Sequence, residues 1–229
     1  MLNRWFVTGT DTEVGKTVAS AALLQAATAA GYRSAGYKPV ASGCELTAAG
    51  VRNSDALTLQ RYSNVPLRYE QVNPLAFMEP TSPHIASADE GRPIEFATLS
   101  AGLRELEPLA EWILVEGAGG WYTPLSETKT YADWVEEEQL PVILVVGVKL
   151  GCINHAMLTA DAIRARGLHL AGWIANTVQP PGQRYQAYLA ALTQRLPAPC
   201  LGVIPWLTQE DQQANFGHYL TLPGRSGHR

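Results

Sequence analysis

Cysteine is scarce in this chain of 229 residues: there are three, Cys44, Cys152 and Cys200, odd in number and far apart. That spacing supplies neither a disulfide framework nor a metal-ligand cluster. Basic blocks are lacking too. The formal net charge is −4, which leaves no electrostatic footprint for nucleic acid. No apolar run reaches membrane-spanning length, and the one that follows Met1-Leu2-Asn3-Arg4 stops at Gly9, too short for a signal peptide. Internal repeats and low-complexity tracts are also missing. Together these absences predict a reduced, cytoplasmic setting and partners that include neither nucleic acid nor membrane.

What the chain does have is apolar material for a core: 46% of its residues are hydrophobic and 17% charged, a composition of folded rather than disordered chains. Short β-branched or aliphatic runs alternate with longer amphipathic ones, the pattern of a mostly parallel sheet with helices on both faces. Strands are expected at Trp5–Thr8, Ser34–Lys38, Trp112–Glu116, Val142–Val148, Leu170–Asn176 and Cys200–Ile204. Helices are expected at Lys16–Ala30, Asp55–Tyr62, Phe96–Leu106, Ala132–Glu138, Ile153–Arg166 and Arg184–Arg195. Between them Val65–Arg92 is proline-rich and aperiodic, and reads as an extended excursion over the mouth of the sheet. The expectation is one α/β domain over residues 1–223 with a disordered tail, 224–229.

The sharpest motif is Gly9-Thr-Asp-Thr-Glu-Val-Gly15-Lys16-Thr17, set between an apolar strand and an alanine-rich helix. Binding a phosphate needs converging backbone N–H groups, a helix N-terminus, a lysine for the β/γ oxygens and a hydroxyl for magnesium. The loop amides, the helix start at Lys16, the Lys16 ammonium and the Thr17 hydroxyl supply them. One departure stands out: five residues, not four, separate the first glycine from Gly15-Lys16. The apolar run Trp112–Val115 ends on Glu116, which meets Gly117-Ala118-Gly119-Gly120. A carboxylate at the carboxyl end of a buried strand faces the crevice in which open α/β sheets bind ligands. Lys38 ends the second strand at that same edge, where a cation can meet charge developing in phosphoryl transfer. Asp55 reads equally as a first-turn helix acid and as a second magnesium carboxylate. His84 and His155 receive no role.

Taken together, Gly9–Thr17, Tyr37–Gly43, Glu79–Ser87, Val115–Gly120, Pro141–Ala156, Asn176 and Gly202–Trp206 closely resemble the dethiobiotin synthetase family. The resemblance runs from Phe6 to about Leu207, and the longer glycine spacing is a family trait. It implies a P-loop NTPase fold and an ATP-dependent cyclo-ligase that uses Mg2+, carbon dioxide and 7,8-diaminononanoate. By that resemblance Thr17, Asp55 and Glu116 hold the metal, while Lys16 and Lys38, with Thr12 and Glu13 beside them, serve the reacting phosphates. Val14, Gly15, Val18, Gly117, Ala118 and Gly119 line the nucleotide. Asn176, Thr177, Pro205, Trp206 and Leu207 surround the adenine, for whose edge an amide's paired donor and acceptor is apt. Ser42 touches the diamine end. Gly151, Cys152, Ile153 and Asn154 take the substrate carboxylate at a helix start, assisted by Tyr188. In the family those residues come from the neighbouring subunit, which implies a homodimer with a shared site.

Two rivals fit less well. A partition-type ATPase usually carries a second lysine early in the phosphate loop, where this chain reads Gly9-Thr-Asp-Thr-Glu. A cobyrinic-type amide synthase needs a glutamine-hydrolysing domain, for which 229 residues leave no room.

Overall fold

The computed structural model describes residues 2–208 and 214–224; the tail from 225 onward, expected to be disordered, lies outside them. Six strands form one sheet: β1 (Asn3–Gly9), β2 (Ser34–Tyr37), β7 (Trp112–Gly120), β8 (Val142–Gly147), β9 (Leu170–Asn176) and β10 (Cys200–Ile204). Their order is β10-β9-β8-β1-β7-β2, and every pairing within this sheet is parallel. A parallel sheet must be covered on both faces, and the strand residues divide accordingly. Trp5, Val7, Trp112, Leu114, Ile143 and Val145 join one apolar cluster, whereas Phe6, Ile113, Val115, Val142, Leu144 and Val146 join the other. This period-two alternation places α1 (Lys16–Ala29) and α2 (Ser54–Tyr62) on the first face. On the second face lie α5 (Phe96–Leu106), α6 (Tyr131–Glu137), α7 (Cys152–Ala165) and α8 (Tyr185–Arg195). Among the described residues no helix is long and apolar enough to cross a membrane.

Two expectations change. The segment Val65–Arg92 is not extended throughout. It carries a one-turn helix α3 (Tyr69–Val72), a two-residue strand β6 (Leu75–Ala76) paired with β3 (Val40–Ala41), and α4 (Pro83–Asp89) with its proline in the first turn. Helix α3 and strand β6 are too short to show a period, and α4 is hidden by the prolines around it. Strand β7 also continues beyond Glu116, and Gly120 pairs with Gly9 after a register shift. Gly117, Ala118 and Gly119 fall within that shift, with Gly119 left-handed at φ 63°, so β7 bulges away from β1 before Gly120 rejoins it. An antiparallel hairpin, β4 (Glu45–Thr47) with β5 (Gly50–Arg52), completes the strands described.

Candidate active site

The carboxyl ends of β1, β2 and β7 open side by side, and the chemistry-bearing residues collect there. Lys38 leaves the end of β2, and its ammonium donates to Glu116 Oε1 at 2.8 Å, Asp55 Oδ2 at 2.9 Å and the Gly117 carbonyl at 3.3 Å. Thr17, on the first turn of α1, donates its hydroxyl to Glu116 Oε1 at 2.9 Å. Glu116 and Lys38 are buried. Burial works against the Lys38 charge, but the Glu116 and Asp55 carboxylates outweigh it and hold the ammonium protonated well above its ordinary range. Burial likewise opposes the Asp55 charge, and Lys38 more than compensates, so its carboxyl stays below the usual range.

Lys16 is in a different situation. Its ammonium donates to the Asp11 carbonyl at 3.1 Å, and burial together with the nearby Lys38 charge lowers its pKa to about 8. Among the described residues no carboxylate is within ion-pair distance of it, although Glu116, Asp55 and Asp11 act on it from further off. The loop around it requires left-handed backbone: Glu13 has φ 61° and Gly15 has φ 86°. At Gly15 a side chain would also overlap Asn176 Nδ2, which donates to the Val14 carbonyl at 3.0 Å. The end of β9 thus presses directly on the loop.

A cavity of about 380 Å3 joins these groups, lined by Thr12, Glu13, Gly15, Lys16, Thr17, Val18, Lys38, Ser42, Asp55, Ala118 and Gly119. It shares Glu13, Gly15 and Val18 with an adjacent cavity of about 170 Å3 walled by Asn176, Thr177, Pro205, Trp206 and Leu207. The first is lined by the cations Lys16 and Lys38 and the acids Glu13 and Asp55. The second is narrow, with a proline and a tryptophan as walls, which suits a flat heterocycle.

The expected carboxylate site lies elsewhere. Gly151 (φ 92°) caps α7. The Cys152 thiol is buried, and its N–H donates to the Lys149 carbonyl at 3.1 Å, so the open donors at this helix start are the N–H groups of Ile153 and Asn154. Tyr188 borders a third cavity, of about 270 Å3, next to Val148, Lys149, Leu150 and Arg184. None of its lining residues lines the phosphate cavity.

Sequence reasoning missed the residues that hold the site from behind. Asn73 donates to the Lys38 carbonyl at 2.7 Å and accepts from the Tyr69 hydroxyl at 2.9 Å. That hydroxyl in turn accepts the N–H of Asn53, the cap of α2, at 2.7 Å. One buried network thereby fixes both Lys38 and the helix that carries Asp55. Only the short polar runs around Tyr69 and Asn73, inside an apolar neighbourhood, could have drawn attention to it. Lys149, directly after a parallel strand, was detectable by position.

A family model described as an AAA domain matches residues 3–214. The ATP-dependent dethiobiotin synthetase BioD 1 of Escherichia coli (strain K12) is 68% identical over 222 residues, covering 97% of this chain and 99% of that one. The ATP-dependent dethiobiotin synthetase BioD of Serratia marcescens is 64% identical over 227 residues, covering 97% and 98%. Among solved structures, the septum site-determining protein MinD of Pyrococcus horikoshii OT3, complexed with Mg-ADP, superposes with a TM-score of 0.57 at 16% identity, over 90% of this chain and 82% of that one. At that identity the likeness concerns the fold alone.

Proposed function

From this chain's membership of the ATP-dependent dethiobiotin synthetase family, we propose that it closes the cyclic urea of dethiobiotin in biotin synthesis. One amine of 7,8-diaminononanoate adds to carbon dioxide and loses a proton, giving a carbamate. A carbamate oxygen attacks the γ-phosphorus of ATP and ADP departs. The second amine then attacks the carbamoyl carbon and expels phosphate, which forms the second carbon–nitrogen bond.

The observation that carries this reading is the single crevice holding Lys16, Lys38, Thr17, Asp55 and Glu116. A carbamate is a weak nucleophile but already anionic, so the chain's task is to place cations around the phosphates rather than to supply a strong base. Lys16, in no ion pair among the described residues, receives the β/γ oxygens. Lys38 stands where charge accumulates on the transferring phosphoryl, with Thr12 and Glu13 shaping the loop beside it. Ser42 faces the diamine end. Asn176 and Thr177, with Pro205, Trp206 and Leu207, receive the adenine.

Thr17, Asp55 and Glu116 offer hard oxygen ligands, and Glu116 Oε2 is buried with no hydrogen-bond partner among the described residues, which fits a magnesium ion. Among the described residues no three His, Cys, Asp or Glu side chains form a cluster of their own, so such an ion would be held jointly with the nucleotide phosphates. Magnesium would supply further positive charge to the phosphoryl being transferred.

We place the substrate carboxylate at the start of α7 in a second copy of the chain. Leu150, just before that helix start, and Leu158, further along α7, are 85% and 61% exposed, apolar surface suited to burial between subunits. The reading thus comprises one ligase domain over residues 1–223, a homodimer and a cytoplasmic setting. Its test is a mass-spectrometric assay with ATP, magnesium, labelled bicarbonate and 7,8-diaminononanoate. Dethiobiotin carrying the label in its ureido carbon is expected, and ATP consumption indifferent to the diamine would refute the reading.

A further inference from the structure

The wall of the adenine cavity leaves the sheet at its edge strand. Pro205, Trp206 and Leu207 follow directly on β10, which has a sheet neighbour on one side only. On its other side the described C-terminal residues 214–224 lie across it. Gly202 bridges Leu220, and the Thr221 N–H and hydroxyl both donate to the Leu201 carbonyl, at 2.8 and 3.0 Å. This strap does not rest on β10 alone. It is tied to α1 by one side chain: Gln25 Oε1 accepts the N–H groups of Phe216 and Gly217, at 2.8 and 2.7 Å, and Gln25 Nε2 donates to the Ala214 carbonyl at 3.3 Å. The approach is so close that a Cβ on Gly217 would stand 2.9 Å from the Ala22 carbonyl oxygen and 2.8 Å from the Ala26 nitrogen. Phe216 meets Tyr62 of α2 edge-on, with ring centroids 6.3 Å apart, and Leu207 packs against the same apolar cluster as Phe216 and Leu220.

Helix α1 begins with Lys16 and Thr17, so Gln25 connects the helix that carries the phosphate site to the strap that backs the base site. We propose that Gln25 is a positioning residue for the nucleotide base: by pinning Ala214–Gly217 to α1, it fixes the distance between the adenine wall and the phosphate loop. This rests on the nucleotide reading of the two adjacent cavities given above. Its consequence is selective. Gln25→Ala loosens the wall, so affinity for a ligand that spans both cavities falls, while affinity for one confined to the phosphate loop does not.

The test compares magnesium ATP with magnesium tripolyphosphate, which has phosphates and no base, by calorimetric binding to the full chain. For Gln25→Ala the expected results are an ATP Kd and KM raised about tenfold, the scale of two or three lost hydrogen bonds, and a tripolyphosphate Kd within about twofold of the parent's. Turnover at saturating ATP should stay close to the parent's. Gln25→Glu keeps the acceptor for both N–H groups and should recover most of the ATP affinity. An unchanged ATP Kd, or an equal loss for both ligands, would overturn the proposal, the latter because it signals general damage to α1. If Gln25→Ala does not fold, Phe216→Leu keeps the hydrogen bonds and removes only the ring contact; it must show the same selective pattern, more weakly, or the proposal fails. Failure of the synthetase reading is separable, since the parent itself would then make no dethiobiotin.

Discussion

Lys38 and Glu116 are each other's main justification inside the sheet. Removing one member of a buried ion pair strands the other, at a typical cost of about 3 kcal/mol or more, and Glu116 is completely buried. Lys38→Met should therefore lower stability by about 3 kcal/mol in urea unfolding as well as reduce turnover about a hundredfold. Adding Glu116→Gln should return part of the stability and none of the turnover. If the two substitutions merely add in stability, the pair is not coupled as its geometry implies. Lys16 invites a test by pH. With a pKa of about 8 in the free protein, it is largely protonated at pH 7 and largely neutral by pH 9. Phosphate oxygens favour the charged form, so binding raises the pKa and takes up a proton. Nucleotide affinity should be undiminished below pH 8 and fall as pH rises through 8, with proton uptake near that pH. Calorimetry of ATP binding without magnesium, in buffers of different ionisation enthalpy, measures this directly. A flat affinity between pH 7 and 9 would show that Lys16 keeps its ordinary pKa.

At the scale of elements, the buried network behind the site gives a sharper prediction than any catalytic substitution. Tyr69→Phe removes one hydroxyl and leaves the Asn53 N–H and Asn73 Oδ1 without their partner. A buried polar group left unsatisfied costs about 1–3 kcal/mol, so the melting temperature should drop by several degrees. Because Asn73 also holds the Lys38 carbonyl, turnover should fall while the KM for ATP barely moves; equal changes in both would mean that α3 supports the whole pocket instead. This network also marks where the sequence stops being legible. The six sheet strands and the helices α1, α2 and α5 to α8 could be read because each runs long enough to display its period, and the phosphate loop because its chemistry demands a fixed order of residue types. Glycine spacing alone brings Lys16 and Thr17, and strand ends alone bring Lys38 and Glu116, to the same edge of the sheet. Helix α3 and strands β3 to β6 are too short for periodicity, α4 matches α6 in length but lies in a proline-rich stretch, and the bonds joining Tyr69, Asn73, Lys38 and Asn53 span up to 35 residues. Contacts of that kind are set by the tertiary fold. Strand β7 was read too short for another reason: Gly117–Gly119 fall in a break in its pairing with β1, which resumes only at Gly120.

For the whole molecule, the decisive relation is between two cavities that share no residue. The phosphate crevice lies at the ends of β1, β2 and β7, whereas the cavity bordered by Lys149, Leu150 and Tyr188 lies at the start of α7. A diaminononanoate chain carries its amines near one end and its carboxylate at the other, roughly 10 Å apart when extended. On the shared-site proposal its two ends are gripped by different subunits, and the exposed Leu150, Met157 and Leu158 offer apolar surface to bury between them. A dimer with two-fold symmetry would bring the α7 start of each chain to the phosphate crevice of the other. The prediction follows from counting sites. Lys16→Ala destroys the phosphate half of a site, and Asn154→Glu sets a negative charge against the substrate carboxylate at the other half. Each variant alone should be nearly inactive. In a mixed dimer one site joins both defects and the other joins both intact halves. Freely exchanging equal amounts should therefore recover about a quarter of the parent's activity. The mixture is assayed for dethiobiotin after subunit exchange has been demonstrated by native mass spectrometry. Exchange without recovery would place the carboxylate within a single chain, and the Asn154→Glu defect would then have to be explained inside one subunit.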